Sequence, residues 1–301
     1  MNDIRKILAC PLCGSALERK GGSLYCMGER RHCFDIASSG YVNLLPPGRE
    51  KNSRTGDDGE MIAARKRFLA SGHYDAISVR IGELISSLAK KNGKESLCLI
   101  DSGCGEGRHT CNIIKTLAEN GISTLAIGFD ASKKGASSAS KFMKSCGFSN
   151  AFDEEKTDGA SAFFAAGNIF TLPVVGHGAD VVVSMFAPIA AEENRRVLKD
   201  DGYLVVAASG AEHLKELRAL LYDEVRLSSG EVRTPDGFIK VHEEIFRYKT
   251  TVESNSLLKD LFTMTPFYYR TSESDKAKLD SVESLEITAE VVLCVFAPRG
   301  E

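Results

Sequence analysis

The sequence predicts an α/β fold: a Rossmann-like, largely parallel sheet with helices on both faces, preceded by a small metal-binding module. Three observations predict it. From Leu97 onward, short apolar runs alternate with helix-length segments. A glycine-rich turn, Asp101 to Gly107, follows the first of those runs. Residues 10–33 hold cysteines and a histidine at the spacing of a four-ligand zinc site. The 301 residues suffice for one large core and one small one. Hydrophobic residues make up 43% and charged residues 26% of the chain, ordinary for a soluble globular protein, and no apolar run approaches the ~20 residues that span a bilayer.

Taken in order, residues 1–45 alternate short strands with turn residues and read as a zinc module. Residues 46–60 are polar and rich in helix breakers, hence a linker. Met61–Leu69 and Ala76–Lys90 are expected to be helical, the second with Ile77, Ile81, Leu84, Ile85 and Leu88 at helical spacing. The expected domains are 1–45 for metal and partner recognition, 46–75 for a linker and connecting helix, and 76–301 for the sheet. Its strands are expected at 97–100, 125–129, 162–165, 180–184 and 203–208. Val197 to Gly202 should close a helix with a glycine turn, and one or two further strands fall in 285–296. Polar loops are expected at 152–160 and 228–238. The first eight residues lack the apolar stretch of a signal peptide, and nine cysteines, an odd count spread through core-like segments, fit reduced thiols. Both point to a cytoplasmic protein.

In the module the spacing is Cys10-x2-Cys13-x12-Cys26-x5-His32. Two cysteines two residues apart chelate from one tight turn, and Gly14 relieves crowding after it. The fourth ligand is His32 or its neighbour Cys33. Buried free thiols are the bland alternative, but so short a segment has little core without a metal. Four protein donors leave no open position, so a single structural Zn2+ is expected.

The turn Asp101-Ser-Gly103-Cys-Gly105-Glu106-Gly107 connects a strand to a helix starting near Gly107. Glycines let the backbone approach a ligand while the helix N-terminus offers free N–H groups to a carboxylate. A dinucleotide fingerprint needs its third glycine one residue later, where Arg108 stands. Asp130 ends the next strand 23 residues past Gly107, where a carboxylate takes ribose hydroxyls. These features indicate a class I Rossmann-like methyltransferase using S-adenosyl-L-methionine. Asn168 follows the third strand, near the expected adenine, although a turn asparagine would look the same. Phe186 and Pro188, after the fourth strand, either shape a pocket for a planar base or belong to the core.

With these residues in hand, the chain resembles the 23S ribosomal RNA (guanine-N1)-methyltransferase family nearly end to end. The likeness is carried by Cys-Pro-Leu-Cys at 10–13, Arg31-His32 with Phe34-Asp35, and Gly-Tyr-Val-Asn-Leu-Leu-Pro at 40–46. It continues through Gly56-Asp57, Glu60-Met61, Ala64-Arg65, Phe68-Leu69 and Gly72-His73-Tyr74. Further on it includes the loop at 101–107, Phe186-Ala187-Pro188, His213-Leu214 and Met264-Thr265-Pro266-Phe267. The cofactor loop is common to many enzymes; the N-terminal block and Met-Thr-Pro-Phe are far more specific. The resemblance implies Cys10, Cys13, Cys26 and His32 as zinc ligands, favouring His32 over Cys33. It also implies Tyr74, Gly105, Glu106 and His213 as cofactor contacts, a 23S ribosomal RNA hairpin as partner, and a homodimer. The sequence departs from the family pattern at Arg108, where a familiar member has an aromatic, and in a longer acidic loop near Asp153–Asp158.

The reaction expected is methyl transfer to guanine N1, which requires that base to be unpaired or flipped. The sequence identifies no general base. Residues 1–80 hold 13 Lys/Arg against 9 Asp/Glu, whereas the rest hold 25 against 32, so the N-terminal part suits a polyanion better. Arg30, Arg31 and the Arg65-Lys66-Arg67 cluster are candidate phosphate contacts, or solvated surface. Two rival functions are a small-molecule methyltransferase with a structural zinc module, and a non-catalytic RNA-binding factor.

Overall fold

The computed structural model describes residues 3–46, 59–153, 160–224 and 229–300; most of the expected 46–60 linker and 152–160 loop lies outside them. At the N-terminus, β1 (Leu17–Lys20), β2 (Ser23–Cys26) and β3 (Cys33–Asp35) form a three-stranded antiparallel sheet. β4 (Val42–Asn43) then leaves the module and joins the large sheet. Two helices follow, α1 (Gly59–Ala70) and α2 (Asp75–Lys91).

The large sheet is built by alternation. β5 (Ser96–Ser102), α3 (Arg108–Glu119), β6 (Ser123–Asp130), α4 (Lys133–Ser145), the short β7 (Ser149–Asn150) and β8 (Ala160–Ala166) lay strands outward in one direction. The chain then returns to the other side of β5 with β9 (Ala179–Met185), α5 (Ala191–Val197) and β10 (Leu198–Ser209). After α6 (Lys215–Leu221) come β11 (Phe238–Val252), α7 (Asn255–Thr263), α8 (Glu273–Ala277) and β12 (Leu285–Pro298). The order is β11-β12-β10-β9-β5-β6-β8-β4, with β12 antiparallel between β10 and β11. Direction reverses between β5 and β9, and such a switch point leaves a crevice at the carboxyl ends of the strands.

The sheet is buried on both faces because its central strands carry consecutive apolar residues, such as Leu97–Ile100 and Val181–Val183. In β5, Leu97 and Leu99 meet Ile77, Ile81, Ile113 and Leu117 of α2 and α3. Cys98 and Ile100 point the other way, into a core shared with Phe129, Phe163 and the N-terminal Ile4, Ile7 and Leu8. The zinc module is therefore packed on the sheet, and backbone bonds from Ala9 to Pro173 and from Val175 to Ile7, both 2.9 Å, fasten it there.

Of the one or two strands expected in 285–296 there is one, the 14-residue β12. One expectation needs correction. Residues 198–202 form no glycine turn; they continue α5 directly into β10 through a bulge between Leu198 and Tyr203. At Gly202 a Cβ would lie 2.9 Å from the Asp180 carbonyl oxygen, so the glycine serves close strand approach. β11 is an open edge with Val241 and Ile245 exposed, interspersed with Lys240, Glu243, Arg247 and Lys249. Charges of this kind discourage unwanted strand pairing.

Asp180 anchors the bottom of the sheet. It is 3% exposed and accepts bonds from the Cys98 amide at 2.8 Å and from the Lys94 and Lys199 ammonium groups at 2.9 Å each. Burial alone would raise its pKa, but these three donors outweigh burial and hold it below the ordinary carboxylate range. Asp180→Ala is expected to cost about 3 kcal/mol, read by chemical denaturation, because it strands a buried amide and two cations. A depressed folded-state pKa gives stability that is present above the unfolded value near ~4 and lost as pH falls through the depressed one. The variant should therefore differ most from wild type at neutral pH, and the gap should narrow below pH ~4.

Candidate metal centre and cofactor cleft

Cys10, Cys13, Cys26 and His32 offer one ligand atom each, and these atoms lie within 4.8 Å of one another. Cys10 and Cys13 flank a turn closed by the Gly14 amide donating to the Cys10 carbonyl at 2.8 Å. Cys26 ends β2, and its amide donates to the His32 carbonyl at 2.7 Å, drawing the second pair together. The Cys13 and Cys26 sulfurs are 3.2 Å apart, and the Cys10 sulfur is 3.4 Å from His32 Nδ1. A Cβ at Gly28 would fall 2.6 Å from Ser15 Oγ and 3.3 Å from both the Cys13 and Cys26 sulfurs, so only glycine fits beside the cluster. The Gly28 amide donates to Cys26 Sγ at 3.3 Å. Cys33 is exposed and stands outside this group. Three sulfurs and one imidazole converging within 4.8 Å fit a structural zinc ion, and leave it no open position.

At the carboxyl end of β5, Gly103, Gly105 and Gly107 all have positive φ, at 101°, 53° and 83°. The two outer glycines serve close packing. A Cβ on Gly103 would lie 2.7 Å from Ala187 Cβ, across the switch point, and one on Gly107 would lie 2.7 Å from Ala139 Cβ of α4. Gly105 faces open space instead. It lines a cleft with Ile62, Arg65, Glu106, Asp130, Ser132 and Gly135. Asp130 Oδ2 accepts from the Gly105 amide at 3.0 Å and Oδ1 from the Ser132 amide at 2.7 Å, so one carboxylate fixes both the loop and the start of α4.

Asp101 lies beneath the loop. Its Oδ2 accepts from the Thr110 hydroxyl at 2.5 Å, and its buried Oδ1 has no hydrogen-bond partner among the described residues. Burial pushes its pKa up to about 7; the Thr110 bond opposes this, while the nearby charges of Asp130 and Glu106 add to it. Burial likewise raises Glu106. Three carboxyls around one glycine loop, one with an orphaned oxygen, form a site suited to a ligand carrying positive charge.

Tyr74 and His213 form a pair beyond the switch point, outside the residues lining the cleft. His213 Nδ1 accepts from the Glu290 amide at 3.2 Å, so Nε2 carries the proton and donates to Tyr74 Oη at 3.2 Å. Burial lowers the His213 pKa to about 4 and keeps the ring neutral; burial also raises Tyr74 well above its usual value. Phe186 lies next to Ala187, 43% exposed, with φ of +52° and its ring 6.0 Å from His213. The Gly103–Ala187 contact thus links the glycine loop to this aromatic group.

Other candidates have plainer surroundings. Asn168 Oδ1 accepts from the Phe170 amide at 3.0 Å, which is a turn role, although the preceding Gly167 amide donates to the Asp130 carbonyl at 2.9 Å. Arg67 is bound to Asp260 at 2.8 and 2.5 Å, joining α1 to α7, and is withdrawn from the basic cluster. Arg108 grips Asp75 at 2.7 and 2.6 Å and lies over the Phe142 ring, so it bonds where an aromatic would only pack. The sequence reading missed Ile62, Ser132 and Gly135 in the cleft. A Ser-x-x-Gly start directly after the strand-end acid was the available signal, since Ser132 caps α4.

A sheet of this topology with a glycine loop and an acid on the adjacent strand end defines a class I methyltransferase, here fronted by a zinc ribbon. A zinc-ribbon family model described as the N-terminal region of RlmA matches residues 8–54, and a methyltransferase-domain model matches residues 94–255. A Bacillus subtilis protein, YxjB, provisionally named a 23S rRNA (guanine-N1)-methyltransferase, is 30% identical over 95% of both chains. A Micromonospora griseorubida protein with the same provisional name is 32% identical over 71% of this chain and 70% of its own. The Streptomyces fradiae 23S rRNA (guanine(748)-N1)-methyltransferase is 28% identical over 71% of this chain and 68% of its own. The chain belongs to the 23S rRNA (guanine-N1)-methyltransferase family. No helix among the described residues is long and apolar enough to cross a membrane.

Removal of the metal should have a bounded effect. Chelation is expected to release one zinc per chain and to raise hydrogen exchange across residues 9–36, the segment that the four ligands draw together. Ile4–Leu8 should stay protected, because they sit in the core of the sheet. Cys13→Ser should lower zinc content in the same way. Full protection of 9–36 in metal-free protein, measured by mass spectrometry, would count against the assignment.

Proposed function

We propose that the chain methylates N1 of one guanine in a hairpin of 23S ribosomal RNA, using S-adenosylmethionine, with residues 1–45 as the RNA-recognition module. What carries the reading is the combination of a zinc ribbon and a glycine-loop cleft in one chain that matches a family relative over 95% of its length. In this reading Gly103, Gly105 and Glu106 line the methionine end of the cofactor, with Asp101 holding its positive charge from beneath. Asp130, fixed by its bonds to the Gly105 and Ser132 amides, lines the cleft as the acceptor for the ribose hydroxyls. Asn168 lies toward the base, while Tyr74 and His213 stand across the switch point and shape the approach to the transferring group.

When bound, the cofactor supplies a methyl group already activated by sulfonium charge. The protein's work is alignment and water exclusion. His213, fixed as the neutral Nε2–H tautomer, holds Tyr74 by accepting and donating at defined atoms, so the tyrosine hydroxyl keeps its proton to donate. Guanine N1 must lose its proton as the new bond forms, and no base is assigned to that step.

The Asp101 carboxyl yields a pH prediction. A cationic ligand favours the ionised form, so cofactor binding should lower this pKa from about 7 and release protons around neutral pH. Affinity should therefore weaken as pH falls below 7, by up to about tenfold per unit. Calorimetry in two buffers of different ionisation enthalpy reads the release directly; a buffer-independent enthalpy between pH 6 and 8 would exclude this role.

The reaction is tested by primer extension on 23S ribosomal RNA. A methyl at guanine N1 blocks the pairing face, so reverse transcriptase should stop one nucleotide short of the site in wild-type cells. The stop should vanish on deletion of the gene and return with the intact copy. Gly105→Val should fail to restore it, because a side chain there fills the open cleft at φ +53°. A stop indifferent to deletion, with turnover of a small molecule by the purified enzyme, would favour a metabolite methyltransferase.

A further inference from the structure

Helix α4 carries four lysines, Lys133, Lys134, Lys141 and Lys144, and no acidic side chain. At about 100° per residue all four fall within an arc of about 100° on one side of the helix. All four are exposed, while Gly135, Ala136, Ala139, Ser140 and Met143 turn inward. Lys134, Lys141 and Lys144 form no ion pair among the described residues, although Lys94, Lys199, Lys215, Lys249 and Lys278 elsewhere do.

Helix stability does not account for this arrangement. Lys133 and Lys134 occupy the first turn, at the positive end of the helix dipole, where acids are favoured and cations cost stability. The placement of the helix gives the lysines a use. Its first turn borders the cofactor cleft through Ser132 and Gly135. Farther along, the Ser137 hydroxyl donates to Ser39 Oγ of the zinc module at 3.1 Å, and a Cβ on Gly40 would lie 3.3 Å from Lys144 Nζ. The lysine arc therefore runs about 17 Å, from the cleft to the module.

We propose that this face of α4 is a track for RNA backbone phosphates, guiding the substrate strand between zinc module and cleft. The inference rests on the ribosomal RNA reading above. Spaced ammonium groups bind phosphates as point charges, without sequence preference, and base recognition falls to other elements.

The test uses full-length protein and in-vitro-transcribed 23S ribosomal RNA. In the triple variant K134E/K141E/K144E, the slope of log affinity against log salt should shrink by about two to three, since each lost phosphate contact removes ~0.7–0.9. RNA affinity at ~0.1 M salt should fall at least tenfold, with S-adenosylmethionine affinity unchanged. The melting temperature should hold or rise, because Glu at position 134 suits the dipole. A triple arginine variant should keep wild-type RNA affinity. A control reversing Lys90, Lys91 and Lys115, which changes net charge equally, should keep the wild-type slope. An unchanged slope in the α4 variant, or an equal loss in the control, overturns the track. Wild-type enzyme that neither binds nor methylates the transcript overturns the substrate reading, and the track with it. Wild-type turnover matched by the α4 variant overturns the track alone.

Discussion

Close backbone approach around one turn organises the functional half of this molecule. Gly103 and Gly107 stand where a Cβ would strike Ala187 and Ala139, so the loop after β5 touches the end of β9 on one side and α4 on the other. Asp130 completes the arrangement by taking amides from both the loop and the start of α4. Cleft, helix and switch point are thereby held at fixed relative positions by contacts with almost no side-chain freedom. Phe186 inherits its place from that packing. A bulky residue at φ +52° is strained, and the neighbouring Ala187 contact is what over-determines it.

The same geometry creates an electrostatic problem. Asp101, Glu106 and Asp130 are gathered around one loop, and burial with mutual repulsion raises the first two. Arg65, which acts on Glu106, offsets part of this, yet Asp101 Oδ1 still has no partner among the described residues. Natural cores seldom leave such an atom unsatisfied without a use. A ligand of net positive charge would relieve the repulsion. The lysines of α4 sit just outside, so sign changes over a short distance: negative within the cleft, positive along its rim.

The parallel sheet was legible because its strands are buried on both faces and appear as unbroken apolar runs, as in Leu97–Ile100. The glycine loop and Asp130 were legible because the backbone geometry demands particular residues at fixed spacing. β11 was not anticipated. As an edge strand it alternates half-buried residues with charges such as Glu243, Arg247 and Lys249, and offers no continuous apolar signal. Ion pairs were equally hidden: Arg67 with Asp260 and Arg108 with Asp75 join partners 193 and 33 residues apart, which no local pattern encodes. The Tyr74–His213 pair, 139 residues apart, came forward through family resemblance and not through periodicity.

The zinc module illustrates how metal and core divide the work. Its base, Ile4 to Leu8, is held by the sheet, with Ile4 and Leu8 almost wholly buried. Its tip has no such support. Between Cys26 and His32 the chain turns through Gly28 and Arg31, the latter at φ +44°, and the ligand cluster, with the Met27 amide on the Ala16 carbonyl at 3.0 Å, ties that turn back toward Cys10 and Cys13. Arg30 and Arg31 are carried on this turn, so their position follows the ligand cluster while the module's orientation depends on hydrophobic packing. Ser39 and Gly40 then bring the module against α4. A module oriented by the sheet and buttressed by the lysine helix has little rotational freedom relative to the cleft.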